Sequence, residues 1–567
     1  SLIVHTKHAN HKEINMPPQN KPLGQLLEEL GFITKEQIKV TLDVQKANPK
    51  FFGEILQDLD FATSSEIAQA IALQNNLEYK NLEFVTPSAD ALRLIPYNVA
   101  KAKNILPISI DERTLTVATQ DVNELSTLDY LRKLSKRDVK LVVEDKKTIA
   151  RYLEIFYYQL SNPIEEEIAE IIKSAVGGLE VNIVHLFGLL LNSAIKDHAT
   201  DIHISPESSV THVSYRIDGV LQHFYSLPHK LHTQLVARTK ILSNLDISEQ
   251  RKPQDGSFNY EFLSESFDIR VSTLPTNYGE NIVMRLLGKN SSLFSLSSLG
   301  LTETNITKIK NYFSKPYGIV LIVGPTGSGK TTTLYSALRK IDSLKKNVMT
   351  IEDPIEYKFS FIKQTQLNEK AGYTFYNAIR AFMRQDPDVM LVGEIRDKET
   401  AELAVRASIT GHLVLSTLHT NDAVGTIPRL EDLGIEPYLI GSGLLCVIAQ
   451  RLVRKLCSNC KVPKAVTPEE LEAMGISKQL LERYPNFTLY DAIGCENCRG
   501  SGYKGREAII EILEVNEDIE SLIVKQASTH EILHKARENG MSSIKEDGYM
   551  KVLQGITTIE EINRVVY

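Results

Sequence analysis

The segment Ile319-Val-Leu-Ile-Val323, running straight into Gly324-Pro-Thr-Gly-Ser-Gly-Lys-Thr-Thr-Thr333, decides the fold. An unbroken apolar run of that length reads as a strand buried on both faces, and Thr332 to Arg339 reads as a helix. A glycine-rich turn between such a strand and helix is a phosphate loop. Its glycines let backbone N–H groups converge on a β-phosphate, Lys330 balances charge on the β- and γ-phosphates, and Thr331 can ligate Mg²⁺. Gly324, Pro325, Thr326, Gly327, Ser328, Gly329, Lys330, Thr331 and Thr332 are therefore the expected ATP-binding residues of an α/β domain.

Downstream, the buried-looking strand Val389 to Val392 has Asp388 before it and Gly393-Glu394 after it, so Glu394 is placed to hold the Mg²⁺ water shell. The usual acidic residue sits at such a strand's own end, and this chain departs from that. Thr350-Ile-Glu-Asp-Pro-Ile-Glu356 follows another strand and ends on a carboxylate that could polarise an attacking water. His412 and His419 flank a third strand, Leu413 to Leu418, and either could sense a γ-phosphate or satisfy a core carbonyl.

Of five cysteines, four form two C-x-x-C pairs, Cys457/Cys460 and Cys495/Cys498. Each pair offers two sulfurs from one turn, the pattern of a single tetrahedral Zn²⁺ site in a reducing compartment. The stretch between the pairs exceeds the usual ribbon spacing and carries a helical pattern around Glu469 to Leu481. Cys446, in the run LLCVIA, reads as a small buried hydrophobe.

The chain begins with a repeat offset by 29 residues, aligning Gly24 with Gly53, Leu27 with Leu56, Thr34 with Thr63 and Gln45 with Gln74. Each copy reads as an apolar turn, a Thr able to cap a helix, and an amphipathic stretch. Apolar runs at Thr114 to Ala118 and Val139 to Val143 suggest a second, α+β module. The acidic Ile164 to Glu170 and the following Ser174-Ala-Val-Gly-Gly178 suggest a helix-breaking linker. The expected boundaries are 1–85, 86–158, a linker at 159–180, then 181–293 and 294–567, with a tetracysteine subdomain near 455–505.

A chain of 567 residues needs several cores. With 64 basic against 71 acidic residues and a formal charge of −7, no global positive field exists to hold nucleic acid or an anionic bilayer. The longest uncharged apolar stretch, Tyr438 to Ala449, falls short of the roughly 20 residues that cross a bilayer. Ser1 to Asn20 holds no apolar run of signal-peptide length, so the expected address is cytoplasmic.

Taken in order, GPTGSGKTTT at 324, TIEDPIEY at 350, RQDPDVMLVGEIRD at 384, TGHLVLSTLHT at 410 and AQRLVRKLC at 449 resemble the secretion ATPase superfamily of GspE/PilB type. That resemblance implies a homo-hexameric, RecA-like ATPase peripheral to a bacterial inner membrane, driving pseudopilus or pilus assembly through platform and docking proteins. It implies that Glu356 closes an Asp box as catalytic base, that Glu394 is the Walker B glutamate, and that His412 and His419 form a His box. ATDIH at 199 and YRIDG at 215 resemble the family's PAS-like second domain, where Arg270 and Arg285 match arginines brought to bound ATP. The amino-terminal repeat is similar to modules that in some relatives bind cyclic di-GMP through R-L-G. Pro22-Leu23 and Phe51-Phe52 stand before the glycines here, so the expectation is protein docking. The segment 429–457 looks more like the type II secretion branch than the pilus-extension branch. A retraction motor fits less well, because those usually lack the cysteine pairs and the long amino-terminal modules. A DNA-directed RecA-like motor would need a basic lining and stacking aromatics, whereas Lys and Arg are dispersed and Trp is absent. A nucleotide-gated scaffold without turnover is disfavoured by Lys330, Glu356 and Glu394.

Overall fold

The computed structural model describes residues 21–566 apart from 83–84, 264, 289–295 and 297–298. Ser1 to Asn20, read as lacking an apolar run of signal-peptide length, and the boundary expected at 293/294 lie outside the described residues. The chain divides into two compact units between Asn162 and Pro163.

In the first unit the repeat folds as α1 (Leu23–Glu29), α2 (Lys35–Ala47), α3 (Phe52–Asp58) and α4 (Ser64–Gln74). Thr34 and Thr63 each close a capping box, with Gln37 and Glu66 reaching back to the cap N–H. The repeated glycines have a packing reason. A Cβ on Gly24 would stand 3.1 Å from the Phe52 ring, so the two copies meet backbone to aromatic at that point. A four-stranded sheet follows, built from β1 (Glu78–Tyr79), β2 (Leu106–Ile110), β3 (Thr114–Thr119) and β4 (Asp138–Val143) in the order β1-β4-β3-β2. The helix Lys146–Ser161 covers it, sinking Ile149 and Leu153 into the core. Because Glu78 and Tyr79 pair with Val142 and Val143, the sheet takes in residues before the boundary expected at 85/86. Strand pairing across more than sixty residues leaves no local mark at that point in the sequence.

The second unit opens with a departure from expectation. The segment read as a linker is a helix, Ile164–Val176, with Ile164, Ile168 and Ala175 buried. Glu165, Glu166 and Glu167 lie in its first turn, where negative charge complements the helix dipole, and Gly177 ends it rather than interrupting it. Next comes an antiparallel sheet of β5 (Asp201–Pro206), β6 (Val210–Ile217), β7 (Val220–Pro228), β8 (Gln254–Phe262), β9 (Glu265–Thr276) and β10 (Gly279–Gly288), in the order β7-β6-β5-β10-β9-β8. The helix Ile183–Lys196 packs Leu186, Leu190 and Ala194 inward, and the Tyr215 hydroxyl donates to the Leu190 carbonyl at 2.8 Å.

The remaining body is RecA-like. β11 (Gly318–Val323), β12 (Val348–Glu352), β13 (Lys363–Gln366), β14 (Val389–Val392), β15 (Leu413–Leu418) and β16 (Leu444–Leu456) lie parallel. After the hairpin β17 (Lys461–Lys464) and β18 (Leu489–Ala492), the chain returns antiparallel to β16 as β19 (Tyr503–Glu514). The order is β13-β12-β14-β15-β11-β16-β19. All six residues of β11 are buried, as a central parallel strand covered on both faces requires. The helical pattern between the cysteine pairs resolves into two short helices, Pro468–Ala473 and Lys478–Arg483. Among the described residues no helix is long and apolar enough to cross a membrane.

Candidate nucleotide site and cysteine centre

Because β11, β12, β14 and β15 are parallel, their carboxyl ends share one edge of the sheet, the edge where open α/β sheets bind ligands. The phosphate loop leaves β11 there and ends on the helix Lys330–Leu338. Gly324, Gly327 and Gly329 take φ of 144°, 77° and 86°, a region that side-chain-bearing residues rarely enter. The Lys330 ammonium donates to the carbonyls of Gly324 at 2.8 Å and Pro325 at 3.0 Å. Burial lowers its pKa and the charge of Glu394 opposes that, so the two groups sense each other across the loop. The Ser328 hydroxyl is buried with no protein partner, as fits a loop that closes on a polar ligand.

Glu356 and Glu394 follow β12 and β14 at this same edge. Glu356 is open to solvent at its surface yet walled by protein at longer range. That enclosure raises its pKa, as does the neighbouring Glu352, while Arg270 and Arg285 pull it down. Glu352 is itself buried and fully engaged: Tyr335 bonds one oxygen, and Thr350 at 2.5 Å and Gln364 at 3.0 Å donate to the other. The Tyr335 hydroxyl also accepts the Glu356 N–H at 3.2 Å, so the helix after the loop fixes the backbone of the expected base. Glu394 is flanked by Arg396 and by His419, whose Nε2 lies 3.7 Å from its carboxylate.

The two histidines part company. His419 follows β15 at the site edge, whereas His412 precedes it at the opposite edge, level with Gly318 at the start of β11. A strand of that length separates them by roughly 20 Å. His412 Nδ1 instead lies 3.0 Å from the Ala407 carbonyl. Within one chain the γ-phosphate role expected of His412 is therefore replaced by the local one, carbonyl satisfaction at a helix end. Asp388 lies at that far edge too, accepting the Asn347 N–H at 2.6 Å.

Arg270 and Arg285 are direct cross-strand partners on β9 and β10, and the register continues through Asp201 on β5 to Arg216 on β6. One row across the sheet thus reads Arg216, Asp201, Arg285, Arg270. The buried Asp201 accepts from Arg285 Nε at 2.9 Å and faces Arg216 Nε at 3.7 Å. It anchors the arginine while engaging only the Nε corner of its fork. Asp201 stands within ATDIH, where the sequence alone assigns it no role. Its signal, a carboxylate one strand-partner from an arginine, exists only once the register is known.

The four cysteines converge. Sγ separations are 3.9 Å for Cys457–Cys495, 3.7 Å for Cys460–Cys498 and 3.8 Å for Cys495–Cys498. Bonds of about 2.3 Å to one Zn²⁺ give tetrahedral edges of about 3.8 Å, so the donor set fits that ion. Cys498 Sγ accepts the N–H groups of Cys495 at 3.1 Å and Gly502 at 3.2 Å. Burial pushes its pKa up, but these donors together with the Cys460 and Cys495 thiols outweigh it and bring the Cys498 thiol to about 7, while burial raises those of Cys457 and Cys460. Cys446 is fully buried on β16, paired with Val320 of β11, as its apolar run implies. The residue after the knuckle, Arg499, reaches Asp197 at 2.6 Å and Glu165 at 3.0 Å, and the Gly505 N–H donates to Asp218 at 2.8 Å. The cysteine turn is thereby tied to the antiparallel-sheet domain.

Residues 180–564 match the family described as type II/IV secretion system protein, and residues 75–162 match the MshEN domain. The chain is 37% identical to the type IV pilus assembly ATPase PilB of Myxococcus xanthus, over 95% of this chain and 98% of that one. It is 40% identical to the PilB of Thermus thermophilus, over 96% of this chain and 66% of that one. It is 47% identical to the type II secretion system protein E of Pectobacterium carotovorum subsp. carotovorum, over 68% of this chain and 75% of that one. With its phosphate loop and both carboxylates assembled at one sheet edge, the chain is an ATP-hydrolysing member of the type II/IV secretion system protein family.

Proposed function

We propose that the chain works as a ring of six on the cytoplasmic face of a bacterial inner membrane, where ATP hydrolysis drives pseudopilus assembly in type II protein secretion. The observation that supports a motor of this kind is that Arg270 and Arg285, cross-strand partners on the sheet of β5 to β10, lie near enough to Glu356 beside the phosphate loop to pull its pKa down. A motor needs hydrolysis coupled to relative domain movement, and a site shared by two domains supplies that coupling. The sheet of β5 to β10 corresponds in this reading to a PAS-like second domain. Lys330 and the loop hold the ATP phosphates, and Thr331 with Glu394 would hold Mg²⁺, which neutralises charge on the β- and γ-oxygens when bound. Glu356 takes the proton of the attacking water, and His419 orients Glu394. Platform and docking proteins are the membrane partners.

Type IV pilus assembly is the second reading, favoured by one observation: the two pilus ATPases match 95% and 96% of this chain, whereas type II secretion relatives match between 68% and 85% of it. A strain lacking the chromosomal copy separates the two. Loss of exported folded enzymes with surface fibres intact supports the secretion motor. Loss of fibres with export intact supports the pilus motor, and neither loss overturns both. The amino-terminal repeat docks a protein in either case, because Pro22 and the exposed Phe51 stand where an R-L-G arginine would meet a phosphate. Calorimetry with cyclic di-GMP is expected to find no submicromolar binding.

The cysteine centre holds one structural Zn²⁺ through Cys457, Cys460, Cys495 and Cys498. With four sulfurs in place it has no open position to activate water. Elemental analysis should give one zinc per chain. Cys495→Ser should lose it and lower the melting temperature before it touches ATP binding, since the knuckle braces Arg499. Protein purified without chelator that contains no zinc would reject the assignment.

A further inference from the structure

β16 runs beside β11 and continues past its end, alongside the phosphate loop. Its Ala449 pairs with Val323, the last residue of β11, so Gln450 comes level with Gly324. Gln450 is completely buried, a costly place for an amide unless every polar atom is used. Both ends of that amide go to the nucleotide loop and its helix. Nε2 donates to the Ser328 carbonyl at 2.8 Å, and Oε1 accepts from the Thr333 hydroxyl at 2.7 Å. The fit is close enough to dictate two of the loop's glycines. A Cβ on Gly324 would stand 2.4 Å from the Gln450 carbonyl oxygen, and one on Gly329 would stand 2.7 Å from Gln450 Nε2.

We propose that Gln450 is a positioning residue for nucleotide binding, holding the phosphate loop open in its binding curvature by bridging Ser328 to Thr333. This rests on the reading of Gly324 to Thr332 as the ATP site. The physical argument is one of orientation. Loop N–H groups bind a phosphate only while they converge, and a loop with three positive-φ glycines has many other conformations to visit. A fixed donor under the Ser328 carbonyl turns that peptide so that its far side faces the ligand. The Thr333 bond ties the same amide to the first turns of the helix, locking loop and helix as one piece.

The test is titration of the full chain with a fluorescent ATP analogue, alongside steady-state kinetics and melting curves. Gln450→Leu, which strands the buried Ser328 carbonyl and leaves the Thr333 hydroxyl only its longer bond to the Gly329 carbonyl at 3.3 Å, should raise the analogue's Kd roughly tenfold or more. Gln450→Glu keeps the acceptor for Thr333 but sets a carboxylate against the Ser328 carbonyl, and should weaken binding as much. Thr333→Val should raise Kd about threefold. KM should rise more than kcat falls, because Gln450 does not touch the reacting atoms. Folded Gln450→Leu and Gln450→Glu proteins that bind within twofold of the natural chain, while Lys330→Ala has lost binding, would overturn the proposal and leave the nucleotide site standing. Normal binding by Lys330→Ala would instead overturn the site itself. Should the Gln450 variants not fold, unchanged binding by Thr333→Val overturns it.

Discussion

Glu356→Gln is expected to cut steady-state phosphate release by about a thousandfold while ATP binding stays within a few-fold of the natural chain. The amide is isosteric, so the backbone bond from Glu356 N–H to the Tyr335 hydroxyl and the loop around it survive. What disappears is the carboxylate proposed to accept the proton of the attacking water. The environment makes Glu356 a better base than an ordinary carboxylate: enclosure by protein and the charge of Glu352 raise its pKa, against the pull of the two arginines. The base must be ionised to act, so turnover should fall as pH drops through that raised pKa, above the ordinary glutamate range. Wild-type turnover in Glu356→Gln would remove it from the mechanism. Glu352, in contrast, is already saturated by Tyr335, Thr350 and Gln364, and Glu352→Gln should cost stability first.

What the sequence reveals of this site follows from how local each feature is. Strand, glycine turn and helix are consecutive, so Ile319 to Arg339 could be read without neighbours, and the capping boxes at Thr34 and Thr63 needed only three residues each. The cysteine cluster was legible because each pair is a single turn. Features that depend on register were not. His412 and His419 bracket one strand symmetrically in the sequence, and only parallel pairing with β11 decides which of them meets the nucleotide edge. The acidic run after Pro163 looked like a solvated linker because its partners, Lys196 and Arg499, are distant along the chain. Gln450 lies in AQRLVRKLC with no task visible from the sequence, since the loop it supports lies more than a hundred residues earlier.

Arg270→Ala and Arg285→Ala are each expected to lower kcat by about a thousandfold with a much smaller change in nucleotide affinity. Both sit on a sheet outside the phosphate-loop domain and directly opposite one another, so a single approach of that sheet delivers two guanidinium groups together. A charge that meets the γ-phosphate only when the domains close gives ATP the differential contact it needs to shift a two-state equilibrium. Arg285 is held ready by Asp201, so Asp201→Asn, which weakens that hold, should produce an intermediate loss. The arginines also leave a signature that simple misfolding would not. Each lowers the pKa of Glu356, so removing either lets it rise further, and the acidic limb of the pH–rate profile must move to higher pH. Lowering ionic strength should enlarge the separation between natural and variant profiles, because both arginines and Glu356 are exposed to solvent. An oligomeric preparation in which both variants keep the natural rate and an unmoved acidic limb would make these arginines ordinary surface residues, and coupling of the two domains through the nucleotide would have to be sought elsewhere.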